Sequence, residues 1–170
     1  MKLSQMTTEQ IRGAAAEKGC RLLAVETAGA GRFSVLRVVL ERESGEGASI
    51  DDCETVSREV SRILDDSDEI PHRYSLEVSS AGLDRKLYSL EDARRFVGSR
   101  VRVKTENPVV AALAEGARHR GPAVSARNFS GILEKVEEDA LTVVDDTDGK
   151  IYNVRFGDIR VAKLDFHWKK

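Results

Sequence analysis

Aromatic side chains are scarce in this 170-residue chain: one Trp, three Tyr and five Phe, 5% of the total. Any core must therefore be built from Leu, Val, Ile and Ala, and no aromatic base-stacking motif of the RNA-recognition type is present. Only two cysteines occur, Cys20 and Cys53. Their spacing makes neither a CxxC pair nor half a zinc site, so they read as small buried hydrophobes in a reducing compartment. Long hydrophobic runs are missing too. No stretch reaches the roughly 18 apolar residues of a membrane span. The opening Met1-Lys2-Leu3-Ser4-Gln5 starts no signal-like apolar region. A cytoplasmic protein with no membrane partner is expected. Nor is there an excess of one charge: 27 basic and 29 acidic side chains leave a net of -2, which excludes a polycation held on nucleic acid by bulk attraction.

Catalytic motifs are likewise lacking. His72, His119 and His167 stand far apart with no HExxH-type ligand spacing. There is no phosphate loop, no GxGxxG following a strand and no GxSxG elbow, and neither cysteine has an activating neighbour in sequence. The acidic group Asp65, Asp66, Asp68 and Glu69 lacks the glycine turn and distal glutamate of a calcium loop and reads as a solvated helix end. A non-enzymatic protein without metal or cofactor is expected.

With 41% hydrophobic and 33% charged residues, the composition suits a globular protein, and the length accommodates two small domains of roughly 80 residues each. Charge divides unevenly. Residues 1–90 carry 12 basic and 16 acidic side chains, residues 91–170 carry 15 and 13. In the first half, Thr7 and Gln10 have the form of a capping box with Met6 and Ile11 as hydrophobic staple. The spacing predicts a helix to about Lys18, stopped by Gly19. Apolar runs at Leu22–Val25 and Phe33–Leu40 flank Gly29-Ala30-Gly31, a hairpin loop. Asp51 and Glu54 read as a second capping box. The stripe Cys53, Val56, Val60, Ile63 and Leu64 then predicts a helix failing near Asp65-Asp66, before Pro71. Tyr74, Leu76 and Val78 alternate with polar residues as a half-buried strand. The order αββαβ predicts two helices on one face of a three-stranded sheet, with the helix crossover permitting a parallel pair.

Beyond Arg100 the pattern changes to short apolar runs between turn residues: 101–105, 129–136, 140–144, 151–154 and 160–164, after a helical turn at about 91–96 that ends at Gly98. Asp148-Gly149 is a two-residue hairpin signal, and Gly131 inside a strand fits a tight bend. The expectation is α+β: an αββαβ two-layer domain at 1–88 and a small all-β SH3-like or Sm-like barrel at 91–170. An insertion at about 107–128 interrupts the barrel, with three arginines, one histidine and a single acid. Within it, Val109 to Ala114 could form a helical turn or two.

The first-half order is similar to a KH-type RNA-binding fold, yet no two of the thirteen glycines are three positions apart, which removes the GXXG clamp. A more specific resemblance lies in "SIDDCETVSREVSRILD…YSLEVSSAGLDRKL" and the later "RFVGSRVRV…FSGILEKVEEDALTV". These runs cover most of residues 50–145 and closely resemble the RimP family of bacterial ribosome maturation factors. The resemblance implies the same two-domain fold and a non-enzymatic role in maturing the small (30S) ribosomal subunit. The partners it implies are the immature subunit, a ribosomal protein of the decoding centre met largely through the barrel, and rRNA. Where the family run usually has proline, this chain has Ala81 and Lys86, so two backbone constraints are lost. The long 107–128 segment has no counterpart in the usual connection.

Candidate partner-binding residues are Gly82, Leu83, Asp84 and Arg85 in that run, and Arg118, Arg120 and Arg127 in the insertion. Each has two readings. The 82–85 run is either a partner-binding or domain-orienting loop, or a structural turn with Leu83 packed and Asp84 and Arg85 paired locally. The arginines form either an rRNA-contacting finger or a solvated loop. The tail Phe166-His167-Trp168-Lys169-Lys170 either contacts a partner or packs its Trp on the barrel. The alternative function is a Sm-like regulator binding single-stranded RNA.

Overall fold

A computed structural model of the chain describes residues 3–29, 34–71, 73–82, 85–113 and 124–165. The protein is α+β and divides into two compact units, Met1–Gly82 and Leu83–Lys170.

The first unit runs α1 (Gln5–Glu17), β1 (Cys20–Ala28), β2 (Ser34–Arg42), α2 (Ile50–Ser67) and β3 (Tyr74–Ser80), the predicted αββαβ order. The strands form one sheet in the order β1-β2-β3. The short link from β1 makes that pair antiparallel, whereas the crossover through α2 makes β3 parallel to β2, with Leu36 opposite Leu76 and Val38 opposite Val78. Leu36, Val38 and Leu40 meet Ile11 and Ala15 of α1 and Val56, Val60 and Leu64 of α2 in a single core. The stripe read along α2 is therefore its buried face.

Both caps lie earlier than the sequence predicts. The α1 cap is Ser4, whose hydroxyl accepts from the Thr7 amide, and Met6 is exposed rather than stapled. The cause is tertiary: the Glu69 carboxylate accepts from the Ser4 amide at 2.8 Å and the Ser4 hydroxyl at 2.6 Å. With a further bond from Thr7, these contacts hold the Glu69 carboxyl below the usual range. The α2 cap is Ser49, in a capping box with Asp52 rather than Asp51 with Glu54. Asp52 is held there by Arg42 of β2 at 2.7 Å. That bond, then those from the Ser49 amide and hydroxyl, lower its carboxyl to about 2. The helix ends at Asp68, a non-glycine residue in the left-handed region.

The second unit contains α3 (Leu90–Arg94), β4 (Arg100–Val110), β5 (Ala112–Leu113), β6 (Ser125–Val136), β7 (Ala140–Val144), β8 (Lys150–Arg155) and β9 (Ile159–Leu164), with a 3-10 turn at Phe156–Asp158. The strands form one sheet in the order β5-β8-β7-β6-β4-β9. Val101, Val103, Leu133, Leu141, Val143 and Val154 fill its core, and Phe129 stacks on Tyr152 with centroids 4.2 Å apart. Gly131 is required sterically, because a Cβ there would land on the backbone carbonyl of Val144.

Two expectations need correction here. The β7–β8 loop is Asp145–Gly149, longer than the two residues Asp148-Gly149 suggest. Asp145 accepts from the Thr147 amide at 2.8 Å in an Asx turn, and Gly149 closes the loop on the Asp145 carbonyl at 2.9 Å. Residues 109–113 are extended, not helical. Val109 lies opposite Ala126 and Val110 opposite Ser125, and β5 then pairs with β8. Two successive β-branched residues that find strand partners on β6 gain more as strand than as an isolated helical turn.

Candidate functional site

Gly82 closes the first unit in the left-handed region, at φ +61°, where a Cβ would meet nothing within 4 Å. Glycine is needed there for backbone conformation rather than for space. Just before it, the Ala81 amide donates to the Leu40 carbonyl at 3.2 Å, a bond that proline could not make. Leu83 and Asp84 lie outside the described residues.

Arg85 to Leu87, expected at the end of the 1–88 domain, lie in the second unit. The Leu164 amide donates to the Arg85 carbonyl and the Leu87 amide to the Ala162 carbonyl, each at 2.8 Å, so Lys86 bridges to Lys163 on β9. Leu87 enters the core. The Arg85 guanidinium is buried and forks onto Asp92, at 2.6 Å and 3.0 Å to the two carboxylate oxygens. It also donates to the Lys86 carbonyl and lies over the Phe96 ring, 5.3 Å from its centroid. Asp92 sits in the first turn of α3, capped by the Ser89 hydroxyl at 3.0 Å, and accepts additionally from the Tyr88 amide at 3.1 Å. A carboxylate there also meets the positive end of the helix backbone. The arrangement fixes where the chain enters the second unit. Arg85 is thus held internally by a side-chain partner, Asp92, and is not presented at the surface. Its partner is signalled by Ser89-x-x-Asp92, which has the form of a capping box.

Arg127 is exposed on β6. Lys104 lies opposite Asn128 and the next ladder pair joins Val109 to Ala126, so Arg127 faces a bulge of Thr105 to Pro108 on β4. The buried Thr105 hydroxyl stands at the root of this irregularity, 2.6 Å from the Asn107 carbonyl and 3.3 Å from the Arg127 carbonyl. Beyond it the Ala111 amide donates to the Val124 carbonyl at 2.9 Å, so both flanks of the insertion are held in the sheet. Arg118 and Arg120 lie outside the described residues, as do His119 and the tail 166–170.

Burial pushes the Cys20 and Cys53 thiols up, so neither is a thiolate at neutral pH. Among the described residues no group of three or more His, Cys, Asp or Glu could hold a metal ion, and no helix is long and apolar enough to cross a membrane. Residues 10–84 match the family model of the RimP N-terminal domain, a span covering most of the αββαβ unit. That match marks the first unit as a RimP N-terminal domain, the domain of a family whose general role is ribosome maturation.

Proposed function

We propose that this protein is a non-enzymatic assembly factor of the small ribosomal subunit, binding immature 30S particles through a ribosomal protein of the decoding centre and through rRNA. The match of residues 10–84 to the RimP N-terminal domain carries this reading. The second unit is the protein-binding part, an SH3-like or Sm-like barrel. What supports the barrel is that β4 passes into β5 after Ala111 alone, and this continuous segment pairs with β6 and β9 at one end and with β8 at the other. The basic insertion, with Arg118, Arg120 and Arg127, supplies rRNA contacts.

Gradient sedimentation of lysate tests the reading. The full chain is expected in fractions holding immature small subunits. Migration with diverse transcripts, away from subunits, would favour the Sm-like regulator instead. A deletion strain is expected to accumulate precursor small-subunit rRNA, and normal processing in that strain would remove the assembly-factor reading.

A further inference from the structure

Lys104 occupies an unusual position among cations. On β4 it faces outward between the buried Val103 and Thr105. Its cross-strand neighbours are Asn128 on β6 and Val161 on β9, and both ladders are irregular immediately beyond it. Against β6 the extra residues are on β4, Thr105 to Pro108 opposite the single Arg127. Against β9, where the register passes from Val161 to Ile159, the extra residue is Arg160. Both arginines are exposed. A bulge re-aims side chains at the break in the ladder, and here the two breaks flank Lys104 with one arginine at each. Among the described residues, none of the three makes an ion pair. One step along the same face, Arg102 lies opposite Lys163 and reaches Asp165 at 3.0 Å. Glu106 follows on β4.

Neighbouring strands are about 4.8 Å apart, so three of them carry these cations across about 10 Å, close to the Debye length at physiological salt. Their potentials add, and like charges set side by side on a sheet are destabilising. A polyanion crossing the strands would relieve that repulsion at several points together. A flat, exposed sheet face suits a chain of phosphates better than a single small anion, which needs enclosure.

We propose that the outer face of β6–β4–β9, centred on Arg127, Lys104 and Arg160, binds the phosphodiester backbone of RNA. The choice of RNA among polyanions rests on the ribosome-maturation reading above. The contacts are to backbone and carry no base specificity.

The test titrates the full-length chain onto protein-free small-subunit rRNA transcript across a range of salt, comparing wild type with the Lys104→Ala, Arg127→Ala, Arg160→Ala triple variant. Arg155→Ala, an exposed arginine on β8, serves as control. Each lost phosphate contact should flatten the dependence of log affinity on log salt by about 0.7 to 0.9, so the triple variant loses roughly 2 to 3 units of slope and the control none. Wild-type slope and affinity in the triple variant overturn the proposal. So does a face that binds anionic phospholipid vesicles but not rRNA. Should the triple variant fold poorly, Lys104→Gln alone must still lose about one contact's slope, and an unchanged slope again overturns the proposal. Sedimentation separates the two readings. Wild type found with immature subunits while the triple variant keeps its RNA slope removes this surface and leaves the assembly role. The expected slope loss with no wild type on subunits does the reverse.

Discussion

Replacing Asp92 with alanine strips the Arg85 guanidinium of its bidentate partner while leaving it inside the second unit. The two side chains are 5% and 8% exposed, so water cannot substitute for the carboxylate. Arg85 keeps the Lys86 carbonyl and the face of Phe96, and the Tyr88 amide loses its bond to the carboxylate. Breaking a buried pair from one side costs about 3–5 kcal/mol, although the intact pair contributes little net stability over an apolar substitute. Against a total of about 5–15 kcal/mol for a domain, that is a large fraction. With an m-value near 2 kcal/mol per molar urea, the unfolding midpoint should fall by about 2 M. The partner change is not symmetrical. Arg85→Ala leaves Asp92 with the Tyr88 amide and the Arg95 guanidinium, so its loss should be smaller. The paired change Arg85→Met with Asp92→Leu should recover most of the stability lost by Asp92→Ala alone. Urea unfolding followed by far-UV circular dichroism measures wild type and the three variants on one scale. A loss below about 1 kcal/mol for Asp92→Ala, or a paired variant no better than the worse single one, would refute the account of a desolvated pair.

Three further outcomes are expected. Gly131→Ala forces a Cβ onto the Val144 backbone, so β6 and β7 must separate. The loss should exceed the 1–3 kcal/mol typical of overpacking, and a midpoint near wild type would show that the strands shift freely. Asp52, with its carboxyl lowered to about 2, contributes stability that is complete above the ordinary aspartate range and is lost as pH falls from about 4 to 2. Asp52→Asn should show a shallower acid loss in that window, and an unchanged profile would deny the link. Residues 83–170 expressed alone should give a dispersed amide spectrum, whereas 91–170, lacking Arg85 and Leu87, should be destabilised. Equal spectra and midpoints would mean that the segment beside β9 adds nothing.

Much of the fold is legible because its signals are local. The α2 stripe, the alternation of Tyr74, Leu76 and Val78, and the run 140–144 each follow from period alone, and the crossover through a helix allowed the parallel pairing of β2 with β3. The caps were less legible because distant residues decide them. Ser4 and Thr7 both offer a hydroxyl at the start of α1, and the carboxylate of Glu69, 65 positions beyond Ser4, selects the earlier frame. Around α2, Ser49 with Asp52 and Asp51 with Glu54 are equal as local patterns, and Arg42 on β2 selects the first. Pairing with strands distant in sequence also fixes 109–113, which composition left open between helix and strand.

The cationic face was hidden for a different reason, which makes it recognisable afterwards. Strict alternation back from the buried Phe129 puts Arg127 on the core side of β6, and alternation back from the buried Ala162 puts Arg160 on the core side of β9. An unpaired guanidinium in that position would cost several kcal/mol. A bulge that turns it outward gives up about one ladder hydrogen bond, roughly 0.5–1.5 kcal/mol net. The ladders break at both arginines, with Arg160 itself the extra residue on β9 and Arg127 opposite the extra residues of β4, and both breaks fall beside Lys104. An arginine two residues before a buried apolar position in a strand is therefore a sequence signal for a bulge. Two such arginines on the strands flanking β4 turn what looks like a patterning fault into a concentrated positive surface on a chain whose net charge is -2.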